Sequence, residues 1–549
     1  MNTEQTIFDY IIIGSGFGGS VSAMRLAEKG YSVLVLEQGK RFADTDFAVT
    51  NKNLRKFLWI PQIGLRGILQ ISPFRDVIAL HGAGVGGGSL VYANVLIEPD
   101  AELYQAPEWN TAVNWKEALQ PHFETARRML GVTQNQRTWP ADTALQKIAD
   151  SYGRGKSYQL TPVGVFFGEP GKEGMETEDP YFGGKGPRRS GCTQCGGCMV
   201  GCRYNAKNTL VKNYLYFAEK AGARIISETE AQVITPIQKP GSDVRYTITT
   251  RTKGGKKTIF QSRNVIVSAG TVGTMKLLLR CKDITRTLDK LSPALGAKVR
   301  TNSESLLGTT SKNGKIKYSD GVAITSIMQA DDVTAIEPVR YSSGSSSMRY
   351  FTWPLVHGKN IWQRMGKSLA WFLTHPLSAL HAYVLPGWAD KTTILLLMQK
   401  IDISLSMKSG RSIWTMFRKG VVTTSSQETD LQNNRLAIGD KVTKDFAKAT
   451  KTQPFGAINE GLLGIQMTAH ILGGCPFGSS AEEGVIDTQC RAHNYPGLYI
   501  IDGSVVPGNP GVNPSLTITA FAEYAMSFIP DKNEQKPEAE VTKMNTNQL

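Results

Sequence analysis

The chain has 549 residues, too many for one compact core, and its 41% apolar and 20% charged content excludes a disordered or fibrous protein. A net charge of +15, from 62 Lys and Arg against 47 Asp and Glu, points to an anionic partner. The basic residues are scattered and form no nucleic-acid motif, which excludes nucleic acid and leaves an acidic lipid surface.

The opening "MNTEQTIFDYIIIGSG" has no basic start, apolar core and cleavage site of a secretory signal. With clustered thiols and no disulfide spacing, the expected compartment is the reducing cytoplasm. Tyr10–Ile13 predicts a strand buried on both faces, followed by Gly14, Gly16 and Gly19 as G-x-G-x-x-G. A helix to about Lys29, a closing Gly30 and a second strand over Ser32–Leu36 complete the unit, with Glu37 at the strand's end. Each glycine has a mechanical reason: a tight turn, close approach of backbone to a pyrophosphate, and helix–strand packing. An acid at Glu37 accepts ribose hydroxyls, so the unit predicts a dinucleotide site.

Two further glycine-rich units follow, "LHGAGVGGGSLVYANVLIEP" (80–99) and "RNVIVSAGTVGTMKLLLR" (263–280), and "GLYIIDGSVVPGNPGVNPSLTITAFAEYA" (497–525) lies near the end. The expected fold is α/β: a Rossmann-like domain assembled from 1–100, 190–300 and 466–530, with an α+β substrate domain carrying an antiparallel sheet from 101–189 and 301–465. The polar segment 531–549 reads as a flexible tail. No internal repeat is present.

"SGCTQCGGCMVGCRYN" places Cys192, Cys195, Cys198 and Cys202 at C-x₂-C-x₂-C-x₃-C spacing, four of the seven cysteines. The gaps match a ferredoxin-type run and predict a [4Fe–4S] or [3Fe–4S] cluster, although Arg203 stands where proline usually follows and there is no second run. Cys281, Cys475 or Cys490 are alternative fourth ligands. Zinc, whose structural sites come as separated pairs, and plain reduced or regulatory thiols are the competing readings. A cluster here would pass electrons to an external acceptor and make the chain a dehydrogenase rather than an oxygen-using oxidase.

Taken in order, the glycine motifs and the end "HILGGCPFG…GLYIIDGSVVPGNPGVNPSLTITAFAE" resemble the glucose–methanol–choline (GMC) oxidoreductases, flavoenzymes that oxidise alcohols, and within them the bacterial cholesterol-oxidase-like branch. The resemblance implies non-covalent FAD. It sets Gly14, Gly16, Phe17, Gly18, Gly19 and Glu37 around the ADP half, and Val233 at the adenine. Gly86, Gly87, Gly88, Ser89 and Asn94 would run along the pyrophosphate and flavin, with Ala269 and Gly270 in the third glycine unit. Asp502 and Gly503 would meet the ribityl–phosphate region, and Asn513, Pro514, Ser515 and Leu516 the isoalloxazine. It also implies His470 as the base for the hydroxyl proton and Asn513 as its assistant, whereas His122, His375 and His381 fall in no matched motif.

Isomerisation of a sterol double bond asks for a carboxylate base, for which Ala389 or Asp390 and Glu337 are the positions to test. The stretches 53–74 and 353–388 are apolar, Trp-rich and edged with Lys and Arg. They read either as core helices or a dimer face, or as a lipid-facing mouth on the inner face of an anionic membrane. No apolar run makes a clean membrane span; 368–388 is broken by Pro376 and Pro386. The expected activity is oxidation of a sterol-like alcohol, with oxygen, a protein or a quinone as acceptor. A terpenoid or long-chain alcohol dehydrogenase and an electron-transfer flavoprotein are the alternatives.

Overall fold

The computed structural model describes residues 6–237, 243–312, 314–358, 360–425 and 429–534. The apolar run predicted as a strand forms β1 (Ile7–Ile13), with Ile11 and Ile12 wholly buried. The glycine turn opens α1 (Phe17–Glu28), and β2 (Val33–Leu36) returns parallel to β1 with Tyr10 opposite Val33 and Ile13 opposite Leu36. Further along come β3 (Arg224–Ile226), β4 (Thr229–Pro236), β5 (Tyr246–Thr252), β6 (Lys257–Val267) and α2 (Gly270–Leu279). The parallel core runs β3–β2–β1–β6, and β5 and β4 extend it as an antiparallel flap on the first half of β6.

The second sheet comes from the middle of the chain. Its strands are β7 (Ser305–Ser311), β8 (Ser326–Gln329) and β9 (Thr334–Val339), then, after α3 (Ile361–Thr374) and α4 (Pro376–Tyr383), β10 (Thr392–Gln399) and β11 (Thr452–Ala457). All neighbours pair antiparallel in the order β11–β7–β10–β9–β8, with short strands Thr352–Trp353 and Gln159–Leu160 at the two edges. The chain then returns to the first sheet. Strand β12 (Leu498–Ile500) lies parallel to the last three residues of β6, and α5 (Ser515–Ser527) packs on α1.

One buried knot closes this return. Glu523 of α5 takes two hydrogen bonds from the Arg25 guanidinium, at 2.7 and 2.8 Å, and a third from the Tyr214 hydroxyl at 2.7 Å. Such paired, charge-assisted bonds lock the last helix to the first. Most of the expected tail lies outside the described residues, but its start is docked: Lys532 reaches Asp9 on β1 at 2.7 Å. Among the described residues no helix is long and apolar enough to cross a membrane.

Candidate active site

Four loops leave the carboxyl ends of the parallel strands side by side: Gly14 after β1, Glu37 after β2, Ser268 after β6 and Asp502 after β12. In a parallel α/β sheet this end is where ligands bind. A cavity of about 450 Å³ begins here and runs on to the face of the second sheet. Gly87 (φ 50°) comes so close to the first glycine turn that a Cβ on it would lie 2.7 Å from Gly16 Cα. A Cβ on Gly16 itself would meet nothing within 4 Å, and Gly16 lines the cavity. The two glycine loops thus form one cradle with backbone exposed to the cavity.

Glu37 is buried at the cradle's edge, where it accepts the Ser15 hydroxyl at 2.7 Å and the Gly39 N–H at 2.8 Å. Burial raises its pKa, and these hydrogen bonds oppose the rise. Asp502 accepts the Thr274 hydroxyl and caps the turn 503–505 through the Ser504 N–H at 2.8 Å. Gly14, Phe17, Gly18, Gly88, Ala269, Gly270, Gly503, Pro514 and Ser515 also line the cavity. Gly19, Gly86, Ser89, Asn94, Val233 and Leu516 stand behind its wall. At the bulge in β4 it is Glu230 and Ala231, not Val233, that reach it. Asn94 is fully buried in a left-handed conformation (φ 73°), and neither amide atom has a partner.

His470 and Asn513 line the same cavity, brought together from segments separated by the β12 excursion. A residue that no local motif announced, Glu304, lies against His470 Nδ1 with its carboxylate 1% exposed. The other carboxylate oxygen accepts the Ala469 N–H at 2.8 Å. Two consecutive left-handed residues, Asn302 (φ 55°) and Ser303 (φ 46°), precede Glu304, a strained conformation of the kind that collects at functional sites. Asn302 also organises the facing loop: its Nδ2 donates to Val512 O at 3.1 Å and its Oδ1 accepts Gly511 N–H at 2.9 Å. Thus one short stretch before β7 positions both His470 and Asn513.

Burial alone would lower the pKa of His470, but the Glu304 carboxylate beside it, with a contribution from Glu337, raises it on balance. Glu337, on β9, is fully buried and accepts the Asn513 amide N–H at 3.2 Å. Burial pushes its carboxyl up to about 8 despite that bond. The Asn513 Oδ1 is left without a partner. Of the positions expected for a second base, Glu337 is therefore beside the pair but behind the wall. Asp390 is elsewhere, accepting Ser319 and Ser343 hydroxyls at 2.6 and 3.0 Å, and Ala389 packs with Trp388 and Phe455. Leu306, Ile324, Val339, Ile394, Leu396 and Phe455 give the cavity an apolar stretch of wall, while His81, Lys276, Arg280 and Asn459 line it as well. The other named histidines lie apart: His122 against Tyr524, and His375 and His381 on α4 and its N-terminal edge.

The cysteine run does not meet the expectation of a cluster. Its thiols lie within electrostatic reach of one another, yet in different settings: Cys192 is buried, Cys195 exposed, Cys198 and Cys202 half-buried. Among the described residues no three His, Cys, Asp or Glu side chains gather closely enough to hold a metal ion. Among the described residues the iron–sulfur and zinc readings therefore find no support, and neither does the electron outlet built on them. Cys281, Cys475 and Cys490 belong to the core of the first sheet, apart from Cys192. The backbone of the run pairs with a distant segment: Gly196 N–H donates to Gly321 O at 2.7 Å, and Gly321 N–H to Gln194 O at 2.8 Å.

What the run does hold is Lys207. This buried ammonium donates to Leu90 O at 3.0 Å, Tyr92 O at 2.9 Å and Cys198 O at 2.8 Å, with no carboxylate among its partners. Burial pushes its pKa down to about 7, although three carbonyl acceptors are best served by the charged form. Leu90 and Tyr92 directly follow the second glycine loop, so Lys207 ties the cysteine segment to the cradle.

Comparison with known proteins agrees with this geometry. Models of the GMC oxidoreductase family match residues 187–281 and 399–522, and a model of an NAD(P)-binding Rossmann-like domain matches residues 12–46. A cholesterol oxidase of Acinetobacter baumannii is 42% identical over 539 residues, covering 97% of this chain and 96% of its own. Another from Mycobacterium tuberculosis is 42% identical over 540 residues, covering 96% and 92%. The crystal structure of pyridoxine 4-oxidase from Mesorbium loti superposes with a TM-score of 0.61 at 13% identity over 95% of this chain and 99% of that one, a likeness of fold. The chain belongs to the GMC oxidoreductase family.

Proposed function

We propose that this protein oxidises a hydroxyl group on a lipophilic alcohol of sterol-like shape, with FAD held in the glycine cradle. The single observation that carries the reading is that His470 and Asn513 face the same cavity as the dinucleotide cradle, between it and an apolar wall. The cradle suits FAD by its exposed backbone at Gly16 and Gly87 and by Glu37 at its edge. When bound, FAD supplies the hydride acceptor. The sterol shape follows from the relatives named cholesterol oxidases, and the apolar wall suits such a body.

The residues divide the work. Glu304 takes the Nδ1 proton of His470 as a hydrogen bond, which leaves Nε2 free to receive the hydroxyl proton. Asn513 offers its unpartnered Oδ1 to the same hydroxyl and orients it. The apolar wall positions the carbon skeleton and excludes water. A base for moving a ring double bond is poorly provided at neutral pH, since Glu337 keeps its proton up to about pH 8 and turns to Asn513. The unconjugated ketone is therefore the product expected at pH 7, with oxygen as electron acceptor. Incubating the purified enzyme with sterols, terpenols and long-chain primary alcohols, and identifying products by mass and enone absorbance, tests the reading. Oxidation of sterols above the others supports it, and turnover confined to another class overturns the sterol assignment.

A further inference from the structure

Lys207 is 2% exposed, and its three acceptors are neutral carbonyls. A buried ammonium is costly without an opposite charge to meet it. Arg189, also 2% exposed, repeats the pattern beside it. Its guanidinium donates to Asn205 O at 3.0 Å, to Lys207 O at 3.0 Å and to the side-chain oxygen of Asn208. Asp44, a carboxylate whose field reaches Arg189, is bonded instead to Lys212 at 2.8 Å. The Cys198 thiol supplies no anion either, since burial pushes it up to about 11 and it keeps its proton at pH 7. Among the described residues, then, two cations are buried side by side and neither is bonded to a carboxylate.

The Lys207 ammonium stands directly behind the cavity wall. Its acceptors belong to Leu90, Tyr92 and Cys198, and Val91, Tyr92 and Met199 line the cavity. It also lies 4.7 Å from the centre of the Tyr92 ring, whose face attracts a cation. Tyr92 is itself fixed: its hydroxyl donates to Asn208 O at 2.8 Å, and its ring meets that of Phe17, at the start of α1, edge-on at 5.7 Å. A little further along, Val95 lines the cavity and packs with Ile324, Val339 and Leu396 of the apolar wall. The stretch 91–95 therefore links the glycine cradle to the apolar wall, with the Lys207 charge held at its back. A flavin gains negative charge when it is reduced, and a fixed charge near it tunes that step.

We infer that Lys207 tunes the cofactor: its ammonium stabilises the negative charge that bound FAD gains on reduction, and so raises the reduction potential. This tuning presupposes FAD in the cradle, as proposed above, but its test needs no alcohol and no turnover. The FAD-loaded full chain is reduced anaerobically in steps beside a reference dye, and a second sample is titrated with sulfite, an anion that adds to electron-poor flavins. Lys207→Met keeps the length of the side chain and removes its charge, whereas Lys207→Arg keeps the charge. In Lys207→Met, sulfite should bind about tenfold more weakly, and the potential should fall by the same factor, about 30 mV for a two-electron couple. Lys207→Arg should restore most of both. Flavin-loaded Lys207→Met with wild-type potential and sulfite affinity overturns the tuning and leaves Lys207 a structural tie, whatever the change in melting temperature. Should Lys207→Met fail to hold flavin, wild type decides: its potential must lie above that of free FAD, and a value at or below it overturns the tuning. A wild-type chain that takes up no FAD overturns the cradle reading and the tuning together, whereas FAD bound at an unraised potential overturns the tuning alone.

Discussion

Glu337 lends itself to the sharpest test of the site's electrostatics. Its carboxyl is buried behind Asn513, and its pKa stands at about 8 against an ordinary 4.5. A folded-state pKa above the unfolded one means that stability is fully present below pH 4.5 and is lost as pH rises towards 8. At 1.36 kcal/mol per pH unit, the whole difference amounts to about 5 kcal/mol, an upper bound on what ionising this carboxyl withdraws. Glu337→Gln keeps the shape and a hydrogen-bonding partner for Asn513 but cannot ionise. Urea unfolding of flavin-loaded wild type and variant, at steps from pH 5 to 9, isolates the effect because every other titrating group is common to both. The two proteins should be of similar stability at pH 5, and the variant should gain on wild type as pH rises, by several kcal/mol at pH 9. A gap that is constant with pH, or that narrows as pH rises, would refute the reasoning.

Other expectations follow from the same geometry. Glu304→Gln removes the carboxylate that raises the His470 pKa, so the acidic limb of kcat/KM should move to lower pH, with kcat down about 10–100-fold because the imidazole loses its orientation. A pH profile with the acidic limb unmoved would deny Glu304 this positioning role. Lys207→Met leaves three buried carbonyls without their donor; a loss of about 2–4 kcal/mol in stability and faster release of flavin are expected by unfolding and fluorescence. For the enone product, isomerisation relative to oxidation should stay low at pH 7 and rise as pH passes 8, when Glu337 loses its proton, measured as the ratio of conjugated to unconjugated ketone.

The parts of this fold that were legible in the sequence are those whose physics is local. A four-residue apolar run, glycines at fixed offsets and an acid at a strand's end describe β1, α1 and β2 closely, because each constraint acts within a few residues. His470 and Asn513 were recognisable from motifs, though not the reason they meet. That reason is Asn302 and Glu304, which bond to Gly511, Val512 and Ala469 across more than 160 residues of chain, and nothing in "TNSESLL" signals it. The cysteine run illustrates the opposite case, a motif that finds no support among the described residues. Its spacing favoured a cluster over zinc or plain thiols, but the pairing of Gln194 and Gly196 with Gly321 is invisible in the sequence. Asp390 was misplaced because its two serine partners, Ser319 and Ser343, come from distant segments that draw it away from the cavity.

The central claim is that a lipophilic hydroxyl is oxidised beside His470. Its most direct test is anaerobic rapid mixing of the flavin-loaded enzyme with a sterol, following loss of the oxidised-flavin absorbance. Wild type should bleach in a single turnover, and His470→Ala, with flavin content unchanged, should bleach about 10²–10⁴-fold more slowly. Bleaching of the His470→Ala variant at the wild-type rate would contradict the account, as would a wild-type flavin that stays oxidised with every lipophilic alcohol offered.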